Sequence, residues 1–422
     1  MSDLPRPVPA ALRERIAMVR VLCIGFMIYV HVPDNAISAL SSGVPLPSRL
    51  FQGFLVEGVG RSSAALLSFV SGLLTAIALA RCTLPSLYRR RFRSIVLPML
   101  VWSTATVTLY AFISLVQPTF LALEDRTPGE AALYYLNTVL FVTEQPMGPT
   151  LHLGFLRDLF VCIVLSPLLL AAVRRIGAMV PVLLGALYLA DVESIIMLRP
   201  LVLFAFSIGV WLADGHARLD RVDRFWPLWV VLSVLATSLT MLSGSEQGLD
   251  SRAALWFDAH GVDLRESVIY PASRLFGALA IWTLAARLVG GSWARRIAAV
   301  SPYVFVAFCS HFLVLTLLWE GFVRRLVHDT TTPAYTAWFT VAPLVAMIGA
   351  AMLVELMARL APRFAALLTG GRVGSGAGAL APPQTGAATA STSVADTRPS
   401  DPKSASRRLP EATGSMPVQL PQ

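Results

Sequence analysis

The chain is poor in charge and almost devoid of lysine. Only 14% of its 422 residues are charged, and Lys403 is the one lysine among 34 basic residues. There is no Gly-rich phosphate loop with a Walker lysine and no Gly-x-Ser-x-Gly elbow, so ATP-driven transport and serine hydrolysis lack their usual machinery. The four cysteines, Cys23, Cys82, Cys162 and Cys309, sit in or beside apolar runs with no Cys-x-x-Cys or Cys/His spacing. That pattern offers no metal motif and reads as small buried hydrophobes. No basic helix interleaved with aromatics appears, so nucleic acid is not an expected partner. No small-residue cleavage site closes the first apolar run, which is therefore expected to be retained. No repeat relates the two halves.

What is abundant is apolar sequence. At 55% hydrophobic residues and a mean hydropathy of +0.66, the chain carries more apolar surface than one soluble core can bury. The expectation is an all-α, polytopic integral membrane protein with about ten transmembrane helices, near 16–36, 62–80, 94–123, 151–173, 176–190, 200–213, 225–245, 268–286, 297–319 and 330–354. The fifth and sixth runs are short and read as a tight helical hairpin. Arginines gather at alternate ends: the N-terminal arm, 81–93, 174–175, 214–224, 287–296 and the tail. By the positive-inside rule those ends and both termini are cytosolic, while Arg324 and Arg325 fall on the opposite side and break the pattern. The domain reading is a cytosolic arm over 1–15, a membrane domain over 16–369 and a disordered cytosolic tail over 370–422, where Gly, Ala, Pro, Ser and Thr lose all periodicity.

The stretch Arg20 to His31 organises this plan. It is apolar, with one ionisable residue at each end. Eleven residues of helix separate the two by roughly 16 Å, about half a bilayer's hydrocarbon thickness. Ionisable groups at that depth ordinarily face a polar cavity and serve function. A neutral imidazole there is a natural proton acceptor, although a histidine on an apolar helix is more often simply packed and hydrogen-bonded. Arg20 could equally snorkel to the headgroups. Asp34, three residues past His31, could orient the ring. Arg89, Arg90, Arg91 and Arg93 anchor topology and would also suit the phosphates of a nucleotide-type donor. His152, the neighbours Arg157 and Asp158, and His311 are further intramembrane candidates; the Arg157/Asp158 pair reads first as structural, and His311 is balanced between packing and pocket lining.

The opening Arg20…His31 spacing resembles the signature of the membrane-bound acyltransferase 3 family, which includes bacterial O-antigen and exopolysaccharide O-acetyltransferases and glucan succinyltransferases. Further segments resemble the family in order. Phe69-Val70-Ser71-Gly72-Leu73-Leu74 is similar to its F-x-S-G span, and Tyr88 to Arg93 with Pro98 and Trp102 to its R-x-x-R stretch. Leu151 to Leu156 with Pro167 is similar to its H-L-W-F-L span, Phe206-Ser207-Ile208-Gly209 to its F-x-x-G helix, and Ser301 to His311 to its late span ending in histidine. Two departures stand out. Gly154 replaces the tryptophan, leaving a gap that would enlarge a pocket. Registering on Pro98 points to Arg91 and Ser94 as the pair, whereas the intact R-x-x-R is Arg90 to Arg93.

The resemblance implies an O-acyltransferase of the inner (plasma) membrane. It would move an acyl group, most simply acetyl, from acyl-CoA (acetyl-CoA) as a co-substrate to a hydroxyl of a carbohydrate or lipid-linked glycan acceptor, among membrane lipids. His31 would be the general base, Arg20 would meet the donor's thioester or diphosphate, and Arg90 and Arg93, with Arg91, would hold CoA phosphates. His152, Arg157, Asp158 and His311 would line the substrate site. No metal or permanently bound cofactor is expected. The competing reading is a multispan transporter or flippase for an anionic or glycolipid substrate, in which the same arginines bind without chemistry; it calls for paired discontinuous helices and repeats.

Overall fold

A computed structural model describes residues 8–33, 44–114, 127–141, 150–190, 199–215, 219–243, 264–327 and 329–372. Residues 373–422, which hold most of the expected tail, lie outside the described residues, as does Asp34. In hydrocarbon no water satisfies backbone N–H and C=O groups, so spanning segments close their hydrogen bonds internally. Accordingly, every regular element among the described residues is helical.

In chain order the helices are α1 (Ala10–Val30), α2 (Leu46–Leu79), α3 (Leu84–Ser114), α4 (Pro128–Leu140), α5 (Leu151–Ile176), α6 (Met179–Leu189) and α7 (Pro200–Ala213). There follow α8 (Leu219–Arg224), α9 (Trp226–Ser243), α10 (Ser267–Leu288), α11 (Ser292–Ala299), α12 (Val304–Val327), α13 (Pro333–Leu360) and α14 (Pro362–Leu368). Six of them, α2, α3, α5, α10, α12 and α13, are long and apolar enough to cross a membrane, which makes this a multipass membrane protein. Three more apolar helices, α6, α7 and most of α9, are shorter. The remaining expected span falls on α1, which carries Arg13, Glu14, Arg15 and Arg20.

Those charges make sense once the neighbours of α1 are known. It packs against α2, α10, α11, α12 and α13, so protein rather than lipid surrounds it. Arg15, expected in a solvated arm, is buried. Its guanidinium lies 3.7 Å from the Trp282 ring centroid, donates to the Trp282 carbonyl at 2.7 Å and pairs with Asp223 at 2.6 Å. The opposite case is α13, where Leu344, Ile348, Met352, Leu356 and Leu360 are all exposed at four-residue spacing, the stripe that a lipid-facing helix presents.

The tightest crossing is that of α2 with α7. A Cβ on Gly72 would collide with the Phe206 carbonyl, and one on Gly209 with the Phe69 carbonyl. The F-V-S-G and F-S-I-G segments are thus the two halves of one contact, in which small residues let backbones approach. The expected hairpin is present too: α6 and α7 pack together, with Tyr188 and Phe204 stacked at 6.0 Å.

One helix lies where the sequence reading expected only loop, between Glu124 and Thr150. The side chain of Thr127 accepts from the Glu130 N–H while the Glu130 carboxylate accepts from the Thr127 N–H, a capping box that starts α4. Phe141, buried and left-handed at φ 54°, ends it.

Candidate functional site

Three histidines meet at the end of α1. His31 caps that helix, its backbone N–H reaching the Ile28 carbonyl at 3.0 Å. The turn after it is held to α13, since the Tyr335 hydroxyl donates to the Pro33 carbonyl at 2.7 Å. His152 sits in a 3-10 turn, Leu151–Leu153, at the head of α5. That turn is fixed from two sides: Thr150 donates to the Thr138 carbonyl of α4 at 3.0 Å, and Arg199 donates to the Leu151 carbonyl at 2.9 Å. His311 lies within α12. Ring centroids are 5.2 Å apart for His31 and His311, 5.9 Å for His31 and His152, and 4.7 Å for His152 and His311. Phe308 and Phe312 complete an aromatic wall.

Backbone partners settle two tautomers. A carbonyl only accepts, so His152 Nε2 carries the proton that it donates to the Cys309 carbonyl at 3.1 Å, and His311 Nδ1 the one that it donates to Phe308 at 2.7 Å. In the neutral rings this leaves His152 Nδ1 and His311 Nε2 as lone pairs, both buried and without a hydrogen-bond partner. An unpartnered buried acceptor is unfavourable, so these atoms mark where a hydroxyl or N–H donor belongs. His31, half-buried, is the most accessible of the three rings. Among the described residues no cluster of His, Cys, Asp or Glu has a geometry suited to a metal ion.

Three turns back along α1, the environment changes from aromatic to cationic. Arg20, Arg91 and Arg372 are half-buried and close enough for their charges to act on one another. None of the three has a carboxylate within 4.0 Å among the described residues. Arg372 is held by backbone, donating to the Ser94 carbonyl at 3.0 Å and to Thr369 at 2.8 Å, with its guanidinium 3.8 Å from the Phe305 ring centroid. Burial, then the charge of Arg20, pushes this guanidinium down to about 10, leaving it protonated near neutrality.

A groove of about 920 Å³ opens beside this cluster. Arg89, Arg90, Arg93 and Arg363, all exposed, lie along it, and Ser94, Gly370 and Gly371 form part of its lining. The basic stretch therefore divides. Arg90 and Arg93 line the groove, while Arg91, whose buried Nε has no hydrogen-bond partner, lies by Arg20.

Of the remaining candidates, Asp158 is fully buried and pairs with Arg157 at 3.0 Å. It also offsets part of the effect of burial on the Arg199 guanidinium, which is lowered overall. Arg199, between the two short runs of the hairpin, is not among the residues that the sequence singles out. Its charge acts on both His31 and His152, and Arg61, paired with Glu57 at 2.7 Å, acts on His31 as well. Arg372, expected in the tail, instead packs into the body of the protein through the Ser94 carbonyl. Its signal was the Gly370-Gly371 pair, with φ of 60° and 76°, which turns the chain back after α14.

Fold and site define a multipass membrane protein in which a histidine cluster and a cluster of three arginines, without a carboxylate partner among the described residues, stand at two levels of one central helix. A family model described as an acyltransferase domain matches residues 13–356. The chain belongs to that family, acyltransferase 3, and is an acyltransferase moving groups other than aminoacyl groups. The succinoglycan biosynthesis protein ExoH of Rhizobium meliloti (strain 1021) is 28% identical over 376 residues, covering 89% of this chain and 96% of that protein. No solved structure matches the chain.

Proposed function

We propose that the protein transfers an acyl group, most simply acetyl, from acyl-CoA on the cytosolic side of the inner membrane to a hydroxyl of an exopolysaccharide or its lipid-linked precursor. The observation that carries this reading is the convergence of His31, His152 and His311 on the helix that also bears Arg20. A polysaccharide acceptor is supported by the similarity to a succinoglycan biosynthesis protein. The arginine-rich end of α1 faces the cytosol in this reading, so the donor enters there and the acceptor approaches from the histidine end.

In the reaction the acceptor hydroxyl gives its proton to His31 as its oxygen attacks the thioester carbonyl. The C–S bond breaks, an ester forms, and CoA leaves as the thiolate, which takes up a proton. A positioned base of this kind contributes about 10²–10⁴-fold. The lone pairs on His311 Nε2 and His152 Nδ1 are available to receive the other N–H of His31 or a second donor of the acceptor sugar. Either role orients the base and its substrate. Arg20 stabilises negative charge on the donor in a low-dielectric site, and Arg90 and Arg93 attract its phosphates.

The test is transfer of radiolabelled acetyl from acetyl-CoA to membrane glycans by the native chain and by His31→Ala at matched membrane insertion. Label is expected in polysaccharide with the native chain alone. Equal label with both chains would remove His31 from the mechanism.

A further inference from the structure

The family match ends at residue 356, yet α14 runs to Leu368 and a turn carries the chain on to Arg372, and this last segment brings two arginines to the side of the structure that the reading above gives to the donor. Arg363 lines the groove and Arg372 joins Arg20 and Arg91. We propose that Arg372 is a donor-binding residue, completing with Arg20 and Arg91 a site for the diphosphate of CoA. The inference rests on the acyl-CoA reading above and goes beyond it by assigning Arg372, a residue outside the stretch that the family model matches.

Four observations converge. The three guanidiniums bear on one another without a carboxylate among the described residues. Like charges gathered in a poorly solvated place repel, and a bound polyanion is what turns such a cluster favourable. Second, the buried Arg91 Nε has no partner, an open donor in a position where most polar groups are satisfied. Third, Arg372 is preorganised rather than floppy: two carbonyls and the Phe305 face hold it, and the left-handed Gly370 and Gly371 aim the chain back toward Ser94. Fourth, the spacing fits the ligand. CoA carries two separate anionic groups, the 3′-phosphate and the diphosphate, and the protein has two groups of arginines: Arg89, Arg90, Arg93 and Arg363 along the groove, and the inner cluster of Arg20, Arg91 and Arg372, the last of them bonded to the Ser94 carbonyl. From Arg20 to His31 is roughly 16 Å along the helix, on the order of an extended pantetheine arm. A diphosphate held by Arg20, Arg91 and Arg372 therefore delivers the thioester to the histidines.

The experiment uses the purified full-length protein in detergent, with native, Arg372→Ala, Arg372→Gln and Arg372→Lys chains compared for monodispersity and thermal stability first. Binding is measured for CoA, inorganic pyrophosphate and pantetheine, and transfer for acetyl-CoA and S-acetyl-pantetheine, which lacks phosphate. Arg372→Ala and Arg372→Gln are expected to weaken CoA and pyrophosphate by about tenfold or more and to raise the KM for acetyl-CoA. The lysine variant should recover part of this loss, and S-acetyl-pantetheine should be used equally by all four chains. Unchanged CoA affinity in Arg372→Ala, or equal loss with the phosphate-free donor, would overturn the proposal by reducing Arg372 to a packing role. A native chain that binds pyrophosphate through Arg372 but neither binds nor uses acyl-CoA would overturn the donor reading while keeping the anion site. Displacement of pyrophosphate by vesicles containing phosphatidylglycerol, with no competition from CoA, would reassign the site to a lipid headgroup and overturn its assignment to the donor.

Discussion

The two levels of α1 solve opposite problems. Around His31 the walls are rings: His152, His311, Phe308 and Phe312, and two of the imidazoles are pinned by carbonyls that leave lone pairs exposed to the site. Around Arg20 the walls bring more arginine, from α3 and from the segment after α14. Among the described residues, the histidine level is short of donors and the arginine level is short of anions. In the proposed reaction one helix thus separates a place that receives protons from a place that receives negative charge, in protein-lined surroundings where water levels such differences less.

The largest effect expected is one that destroys both levels together. Gly72→Leu would drive a side chain into the Phe206 carbonyl at the α2/α7 crossing. Overpacking in a close-packed site costs about 1–3 kcal/mol and more when backbone is in the way. Loss of monodisperse protein on size-exclusion chromatography would follow, whereas a well-folded Gly72→Leu chain would show that the crossing is looser than described.

Next comes His31→Ala, with transfer down by about 10²–10⁴-fold and the KM for acetyl-CoA little changed. A large rise in that KM would break the separation of the two levels. His311→Ala and His152→Ala should each lower kcat by about tenfold to a hundredfold, the scale of an ångström's misplacement of a reacting group. If either matched His31→Ala, it would share the base's role rather than orient it. Arg20→Ala is expected to do the reverse of the histidine variants, raising the KM for acetyl-CoA by about tenfold or more, with Arg20→Lys recovering only part because a compact ammonium replaces a planar fork.

The smallest effect belongs to the exposed groove. Arg93→Ala should raise the KM for acetyl-CoA by only a few-fold, and raising ionic strength from about 0.01 M to 0.15 M should erase most of that difference through screening. The contribution of the half-buried Arg20 should persist at the higher salt. Equal salt sensitivity of both variants would place Arg20 in the same solvated environment as Arg93.

Much of this was legible beforehand where spacing alone carries the physics. Composition required a membrane protein, and the apolar runs placed α5, α7 and α10 within a few residues, because hydrocarbon thickness and helical rise translate directly into run length. Arg20 and His31 were legible as a pair because three turns of apolar helix separate them. What escaped was what depends on a neighbour or on a local signal set among loop residues: α4 behind its capping box, Arg15 buried on Trp282, and Arg372 returned by two left-handed glycines.

By itself, then, the sequence determined the solvent in which this chain folds, the helical class and the Arg20/His31 pair that brackets the apolar stretch of α1, since each follows from hydrophobicity and a 3.6-residue period within one segment. Only the tertiary structure decided that histidines from three separate segments come together, that Arg93 lines the groove while Arg91 lies by Arg20, and that Gly72 and Gly209 answer each other. These are contacts between residues far apart in the chain, fixed by how helices cross and which backbone carbonyls they leave open, and no single segment carries that information.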